Sequence, residues 1–269
     1  MPDNRRIQGP EESFSPLLYL REEDKPQIKT LINSNGQRLD GRTLNELRPT
    51  CMQTGINPHA TGSAYLETGS TKILCTIYGP KESVRREEFA TSGRVVCEFK
   101  YAPFSCARRR QYHQDVEEKD FSSFVTNALT RSVKLDAFPK LQLEVNILIL
   151  ENGGSALAGS INCASLALAD SGLEMYNMPV ASTVAVHKSG CLIDPSICEE
   201  YTNDEVIRHP DISGSMTVAY LTAIQEISGF KQDGVMEVGR IRKGVDMCLG
   251  GCLRILKSMR EYLETVTAQ

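Results

Sequence analysis

The stretch ENGGSALAGSINCASLALAD, residues 151–170, decides how the rest of the chain is organised. The run LQLEVNILIL (141–150) leads into it and predicts a strand, whose apolar character favours a central position in a sheet. The pair Gly153-Gly154 predicts a turn, and the small side chains of 156–170 predict a helix that packs closely on a sheet. A strand, a glycine turn and a helix start often bind anions, because the first N–H groups of a helix lack intrahelical acceptors.

The side chains at this helix start do not decide what the turn does. Ser155, Ala156 and Leu157 follow the glycines, and none of them carries a positive charge. The pattern therefore leaves two interpretations open. The turn either binds phosphate and takes part in a reaction, or it keeps only the shape of such a site.

The composition is that of a folded protein with a slightly acidic balance. With 269 residues, the chain has room for one long domain or two fused domains, and 41% hydrophobic residues suffice for a buried core. The net charge of −4 means that any surface for nucleic acid must be local. No run of eighteen apolar residues occurs and the first residues lack the apolar core of a signal peptide, so we expect a soluble intracellular protein.

The cysteines, histidines and acidic residues do not predict a metal centre. None of the nine cysteines forms a CxxC pair, and most lie in apolar patterns that favour buried, unpaired thiols. The four histidines are scattered, without the spacing of a Ser/His nucleophile. Some acidic residues could bind magnesium, although acidic loops are more often solvated: Glu151, Glu199, Glu200, Asp204 and Glu205. We expect neither a metal nor a cofactor.

Alternating and helical patterns before this stretch predict a sheet and one helix. Residues 63–68 and 71–79 alternate around a two-residue turn, which is typical of a β-hairpin. Residues 93–103 predict a third strand. Residues 117–135 have apolar side chains at helical spacing and predict an amphipathic helix.

The patterns after this stretch predict more strands and a final helix. Residues 180–187 and 190–194 indicate another hairpin, and 215–228 indicate two strands or one bent strand. Residues 238–266 predict a long amphipathic helix, lightly broken by a Gly-Gly pair. Hairpins mixed with three helices favour an α+β fold over a doubly wound sheet.

Several stretches together resemble the RNase PH family, the phosphorolytic exoribonucleases and their exosome relatives. Four of them occur in the family's order: RLDGRTLNELRP (38–49), GSAYLETGSTKILCTIYGP (62–80), ENGGSALAGSINCASLALADSG (151–172) and LIDPSICEE (192–200). Three others are similar to eukaryotic exosome ring subunits: RRIQGPEES (5–13), APFSCARRR (102–110) and LEVNILILENGGSALA (143–158). The resemblance implies an RNase PH-like fold of two βαβ-type halves with mixed sheets and flanking helices.

The resemblance also implies a domain plan and partners. We expect a flexible N-terminal arm at 1–30, a first RNase PH-like half at 31–178 and a second half with the C-terminal helix at 179–269. Family members of this kind build a six-membered ring around a channel for RNA. The expected partners are other RNase PH-like ring subunits, RNA-binding cap subunits and RNA, with no membrane. The expected locations are the nucleus, nucleolus and cytoplasm.

The phosphate turn of active family members differs from the turn in this sequence. In active members the glycines are followed by Thr or Ser, then Arg, then Thr or Ser, whereas this chain has Ser155, Ala156 and Leu157. Ala156 thus replaces the guanidinium that would bind phosphate through two hydrogen bonds. We interpret Gly153, Gly154, Ser155 and Ala156 as vestigial phosphate-site positions.

Two further elements of the active family lack their charged residues here. An aspartate that precedes a methionine in active members corresponds to Ser215, although Asp211 lies four residues earlier and could be misaligned with it. Arginines on the helix after the third strand correspond to Ser123 and Asn127. These departures predict a non-catalytic ring subunit without catalytic residues. An active phosphate-dependent exoribonuclease with unconventional residues is the alternative, and a free-standing RNA-binding module is a weaker one.

Arg108, Arg109 and Arg110 form the densest basic run of the chain. They are predicted to contact the RNA backbone as it enters the channel, because phosphate contacts need local positive charge on an acidic protein. A solvated loop, or a salt bridge to a neighbouring subunit, is the other interpretation that remains open. The charged residues of segment 38–42 are expected to form structural ion pairs.

Overall fold

The computed structural model describes residues 31–33, 37–82, 92–106, 109–200, 209 and 211–267. The predicted arm at 1–30 lies outside the described residues. No described helix is both long enough and apolar enough to cross a membrane.

The first sheet contains five strands, two of which pair in parallel. They are β1 (Thr50–Thr54), β2 (Gly62–Thr68), β3 (Thr71–Glu82), β4 (Arg94–Tyr101) and β5 (Leu141–Glu151). The order is β1-β2-β3-β5-β4, with β4 parallel to β5 and the other pairs antiparallel. The predicted hairpin, third strand and central strand are confirmed. The sequence analysis missed β1, because this short edge strand is largely exposed and lacks an apolar alternation.

The second sheet contains four antiparallel strands. They are β6 (Pro179–His187), β7 (Gly190–Ile193), β8 (Ile212–Leu221) and β9 (Glu226–Gly234), in the order β7-β6-β8-β9. The region 215–228 therefore holds two strands, the first of the two alternatives. Among the named strands, only those of the first sheet form a βαβ unit. The resemblance implied two βαβ-type halves, and the second sheet differs from that expectation in this detail.

Three helices accompany the sheets: α1 (Val116–Thr130), α2 (Ala156–Asp170) and α3 (Val238–Thr267). The predicted helix at 117–135 was too long by five residues. Its C-terminus is fixed by Ser132, whose hydroxyl donates to the carbonyl of Leu129 at 2.8 Å, while Val133 leaves the helix to bridge Met175.

Helix α2 lies between the two sheets and is buried on nearly all sides. It packs against β2 and β3 on one side and against β6 on the other. Its small side chains permit this double contact, and Asn162 satisfies its own polar groups by pairing with the backbone of Ala181 in both directions, at 2.8 and 3.0 Å. The core thus fixes the position of α2, and with it the glycine turn at its N-terminus.

Helix α3 is continuous, so the predicted break at the Gly-Gly pair was wrong. Gly251 faces Ile193 and Ser182 so closely that a side chain there would collide with them, which means that the glycine serves packing rather than a kink. The far end of the helix is tied to the first sheet by Tyr262, whose hydroxyl accepts the N–H of Thr54 at 2.9 Å.

The cysteines are all unpaired, as predicted, and most of them are buried. The buried ones are Cys75, Cys97, Cys163, Cys248 and Cys252, whereas Cys51 and Cys198 are exposed. Burial disfavours the thiolate and raises the pKa of Cys97 to about 12. These buried thiols therefore serve as small hydrophobic side chains.

Candidate functional site

The glycine turn, residues 152–155, connects β5 to α2 and has a tightly constrained backbone. Gly154 has φ +101°, and a Cβ on it would lie 2.5 Å from the carbonyl carbon of Ser196. Ser155 is the N-cap residue of α2 and itself adopts a left-handed φ of +55°. The turn is therefore held between the core helix and the segment that follows β7.

Arg48 clamps this turn to the strand end that carries Asp194. Its guanidinium donates to both carboxylate oxygens of Asp194, at 2.6 and 3.0 Å, and to the carbonyls of Gly153 and Gly154, each at 3.1 Å. Both charged side chains are almost fully buried. Although burial favours the neutral acid, the hydrogen bonds and charge of Arg48 hold the pKa of Asp194 below its usual value. Sequence reasoning missed this clamp, because nothing in the local pattern links two residues so far apart.

Three hydrogen-bond donors of the glycine turn, on Gly154 and Ser155, have acceptors within the protein. The N–H of Ser155 donates to Oε2 of Glu200 at 3.1 Å, and its hydroxyl donates to the carbonyl of Pro195, also at 3.1 Å. The N–H of Gly154 donates to the side-chain oxygen of Asn152 at 3.2 Å. The N–H and the hydroxyl of Ser155, two donors that would face a bound phosphate, thus already have acceptors.

The first turn of α2 presents no charged side chain. Ala156, Leu157 and Ala158 are buried, with 3%, 6% and 4% of their surface exposed. The predicted vestigial positions therefore come together in one place, at a helix start lined by small and apolar side chains. An arginine at Ala156 would begin in the core, not at the mouth of the turn.

The electrostatic surroundings of the turn are acidic. Burial raises the pKa of Glu200 to about 7, against the opposing effects of the Ser155 N–H and the charge of Arg48. Glu117 and Asp194 add to the increase, because nearby negative charges disfavour ionisation. A second anion would therefore meet several carboxyl groups and a cation, Arg48, that already has protein partners.

The members of the basic run differ in their surroundings. Arg108 lies outside the described residues, and Arg109 is exposed. Arg110 pairs with Glu117 at 2.9 Å and stacks over the ring of Tyr101, 4.2 Å from the centroid. Although burial opposes its charge, the carboxylate of Glu117 raises the pKa of Arg110 above its usual value. Arg110 thus has a local structural role.

The other positions considered for catalysis do not assemble around the turn. Ser215 is buried on β8, opposite Ala185 of β6. Asp211 pairs with Lys188 at 2.6 Å, at the turn that follows β6. Ser123 and Asn127 lie on the exposed face of α1. Within the described part of the chain, these side chains make no hydrogen bond or ion pair to the glycine turn.

Some of the acidic residues considered as magnesium ligands lie in ion pairs with basic side chains. Glu151 pairs with Lys72 at 2.9 Å, and Glu199 lies 3.7 Å from Arg38 and 3.9 Å from Arg42. Asp204 and Glu205 lie outside the described residues. Across the described ranges, no three His, Cys, Asp or Glu side chains form a group that could bind a metal ion.

The charged segment 38–42 forms the structural ion pairs that were predicted. Arg42 pairs with Asp40 at 3.0 Å, and the buried guanidinium of Arg38 donates to the carbonyls of Ile193 and Leu44. These contacts attach the segment before β1 to the end of β7.

Comparison with known proteins identifies related sequences along nearly the whole chain. Residues 46–174 match the model of the 3′ exoribonuclease family, domain 1. The chain is 34% identical to the human exosome complex component MTR3, over 97% of this chain and 94% of that protein. It is 33% identical to the exosome complex component RRP41-like of Arabidopsis thaliana, over 84% of each, and 29% identical to Rrp41 of Methanopyrus kandleri, over 90% of this chain and 97% of that protein.

Solved structures show the same fold at lower identity. Rice Rrp46 superposes with a TM-score of 0.72 and 23% identity, over 84% of this chain and 100% of that one. The Archaeoglobus fulgidus exosome with RNA bound to the active site gives a TM-score of 0.70 and 17% identity, over 83% and 93%. The α+β fold predicted from the sequence is thereby shown to be RNase PH-like.

Proposed function

The chain belongs to the RNase PH family of 3′ exoribonucleases, and from this membership we propose that it is a non-catalytic ring subunit of an RNA exosome. In this role it scaffolds the ring and helps to thread RNA for 3′-to-5′ processing and degradation. The relatives that resemble it over most of its length are named as exosome components, which supports the assembly part of the proposal. The glycine turn supports the non-catalytic part.

The observation that carries the non-catalytic role is the buried, uncharged start of α2. Phosphorolysis brings inorganic phosphate against a phosphodiester, so two anions must be held together by fixed positive charge. Ala156 supplies none, and the nearby guanidinium of Arg48 is bound to Asp194 and to the carbonyls of the turn. Helix N-terminal groups alone contribute roughly 0.3–1 kcal/mol at exposed sites, too little to hold phosphate firmly.

The partners and locations that we propose are those implied by the resemblance to exosome ring subunits. The partners are other RNase PH-like ring subunits, RNA-binding cap subunits and RNA, and the locations are the nucleus, nucleolus and cytoplasm. The human relative supports a eukaryotic type of assembly. We also propose a boundary between the two halves at 178/179, where the first sheet is complete and β6 begins.

The activity test uses the purified subunit. We expect it to release no nucleoside diphosphate from short RNA, with or without phosphate, because the turn lacks the cation that phosphorolysis needs. An active family member assayed in parallel provides the positive control. Phosphate-dependent release that disappears in an Asp211→Ala variant would instead establish the alternative, an active exoribonuclease with unconventional residues.

The basic run remains our proposal for RNA contact, with the test placed on its first two members. Arg110 is left unchanged because it pairs with Glu117. In the assembled ring, Arg108→Glu/Arg109→Glu is expected to lower the salt slope of RNA binding by about 0.7 for each lost phosphate contact, whatever the RNA sequence. The control is Arg131→Glu, an exposed arginine at the end of α1. An unchanged slope contradicts the RNA role, and failed assembly favours the interface interpretation.

A further inference from the structure

The segment that follows β7 covers the glycine turn with several hydrogen bonds. The carbonyl of Pro195 accepts the hydroxyl of Ser155 at 3.1 Å, and the N–H of Ile197 donates to the carbonyl of Gly153 at 2.8 Å. The third contact is the carboxylate of Glu200 on the N–H of Ser155. We call residues 195–200 the covering segment. A Cβ added to Gly154 would lie 2.5–2.6 Å from backbone atoms of this segment, so no side chain would fit there.

Glu200 is the member of this segment that resembles a ligand. It is partly buried, and its carboxylate oxygen lies 3.1 Å from an amide nitrogen at the N-terminus of a helix, where an anion is stabilised. The oxygens of this carboxyl group are acceptors, as the oxygens of a bound phosphate would be at the same place. We propose that Glu200 is a built-in ligand of the glycine turn, which fills the anion position and closes it to inorganic phosphate and phosphodiesters.

The surroundings of Glu200 support a local function rather than an ordinary ion pair. The cation that acts on it, Arg48, is already bound to both carboxylate oxygens of Asp194. Burial raises the pKa of Glu200 to about 7, and Glu117 and Asp194 act in the same direction. The carboxyl group therefore lies in surroundings that disfavour its charged form, and there it accepts the N–H of Ser155.

This inference rests on the proposed non-catalytic role and adds the reason why the turn stays closed. The loss of the arginine at Ala156 removes the attraction for phosphate, and Glu200 occupies the space that remains. Removing the carboxylate should therefore restore weak phosphate binding without restoring any reaction.

The test measures the ³¹P NMR linewidth of inorganic phosphate in the presence of the full chain assembled with its ring partners. Exchange with a large complex broadens this line even when binding is weak. Glu200→Ala is expected to increase the protein-induced broadening by about fivefold over the wild type, in line with the strength of an isolated helix terminus. Added sulfate should reverse the increase. Glu226→Ala, at an exposed carboxylate on β9, is the matched control and should behave as the wild type.

A second variant protects the test against a folding failure. Glu200→Ser shortens the side chain and removes the carboxyl group that accepts the Ser155 N–H, so it should also broaden the phosphate line more than the wild type does. If Glu200→Ala does not fold, the serine variant decides. Linewidths equal to the wild type in the folded variants overturn the inference. Nucleoside diphosphate formation is measured in the same samples, so that a failure of the non-catalytic role is recognised separately from a failure of the built-in ligand.

Discussion

Arg48→Ala is expected to lower the free energy of unfolding by about 3–5 kcal/mol, the usual cost of removing one partner from a buried ion pair. The guanidinium of Arg48 donates two hydrogen bonds to Asp194, and both side chains are nearly fully buried. Without the guanidinium, the buried carboxylate of Asp194 keeps only the N–H of Arg48 at 2.9 Å and the more distant Arg42, whose Nη1 lies 3.9 Å away. The carbonyls of Gly153 and Gly154 also lose a donor. Urea denaturation of the wild type and the variant measures the difference.

The control for this prediction is Arg131→Ala, which removes the same side chain from an exposed position. Its effect should stay within about 0.5 kcal/mol. The dependence on pH gives a second readout. Because the folded pKa of Asp194 is lowered, its stabilising contribution is present above the unfolded value of 3.8 and disappears as the pH falls through the folded value. The difference between wild type and Arg48→Ala should therefore shrink in acid, and a loss below about 1 kcal/mol at neutral pH contradicts the clamp.

The secondary-structure elements that could be predicted are those with a local pattern in the sequence. The hairpin of β2 and β3 follows from alternation around a tight turn, and α2 follows from a glycine turn before a run of small residues. The end of α1 and the continuity of α3 depend instead on tertiary contacts. Gly251 looks like a helix breaker in the sequence, but its missing side chain permits the close approach to Ile193.

The candidate site divides in the same way between local and distant contacts. The vestigial positions follow one another along the chain, so the resemblance was enough to group them. The clamp joins Arg48 to Asp194, 146 residues away, and the covering carboxylate comes from Glu200, 45 residues after Ser155. Such pairings have no periodicity or spacing that a single sequence can show. The basic run shows a second limit of sequence reasoning, because the run itself does not reveal that Arg110 is paired with Glu117.

Gly154→Ala is expected to lower the free energy of unfolding by roughly 2–6 kcal/mol, from two separate causes. A residue with a side chain is strained at φ +101°, which costs on the order of 1–3 kcal/mol. The new Cβ would also lie 2.5–2.6 Å from backbone atoms of Pro195, Ser196 and Ile197, and overpacking of this kind costs about 1–3 kcal/mol.

Gly172→Ala separates these two causes, since Gly172 has φ +69° and a Cβ added to it would meet nothing within 4 Å. It should cost only the strain, about 1 kcal/mol. The excess loss in Gly154→Ala then measures how firmly the covering segment presses on the turn. Urea denaturation at one pH measures the loss of unfolding free energy in both variants. Equal losses would mean that the covering segment moves aside without a cost in free energy. Because the backbone of Pro195 to Ile197 would then yield to a single methyl group, the turn would be held mainly by Arg48 and by the hydroxyl of Thr71, which donates to the carbonyl of Gly154 at 2.8 Å.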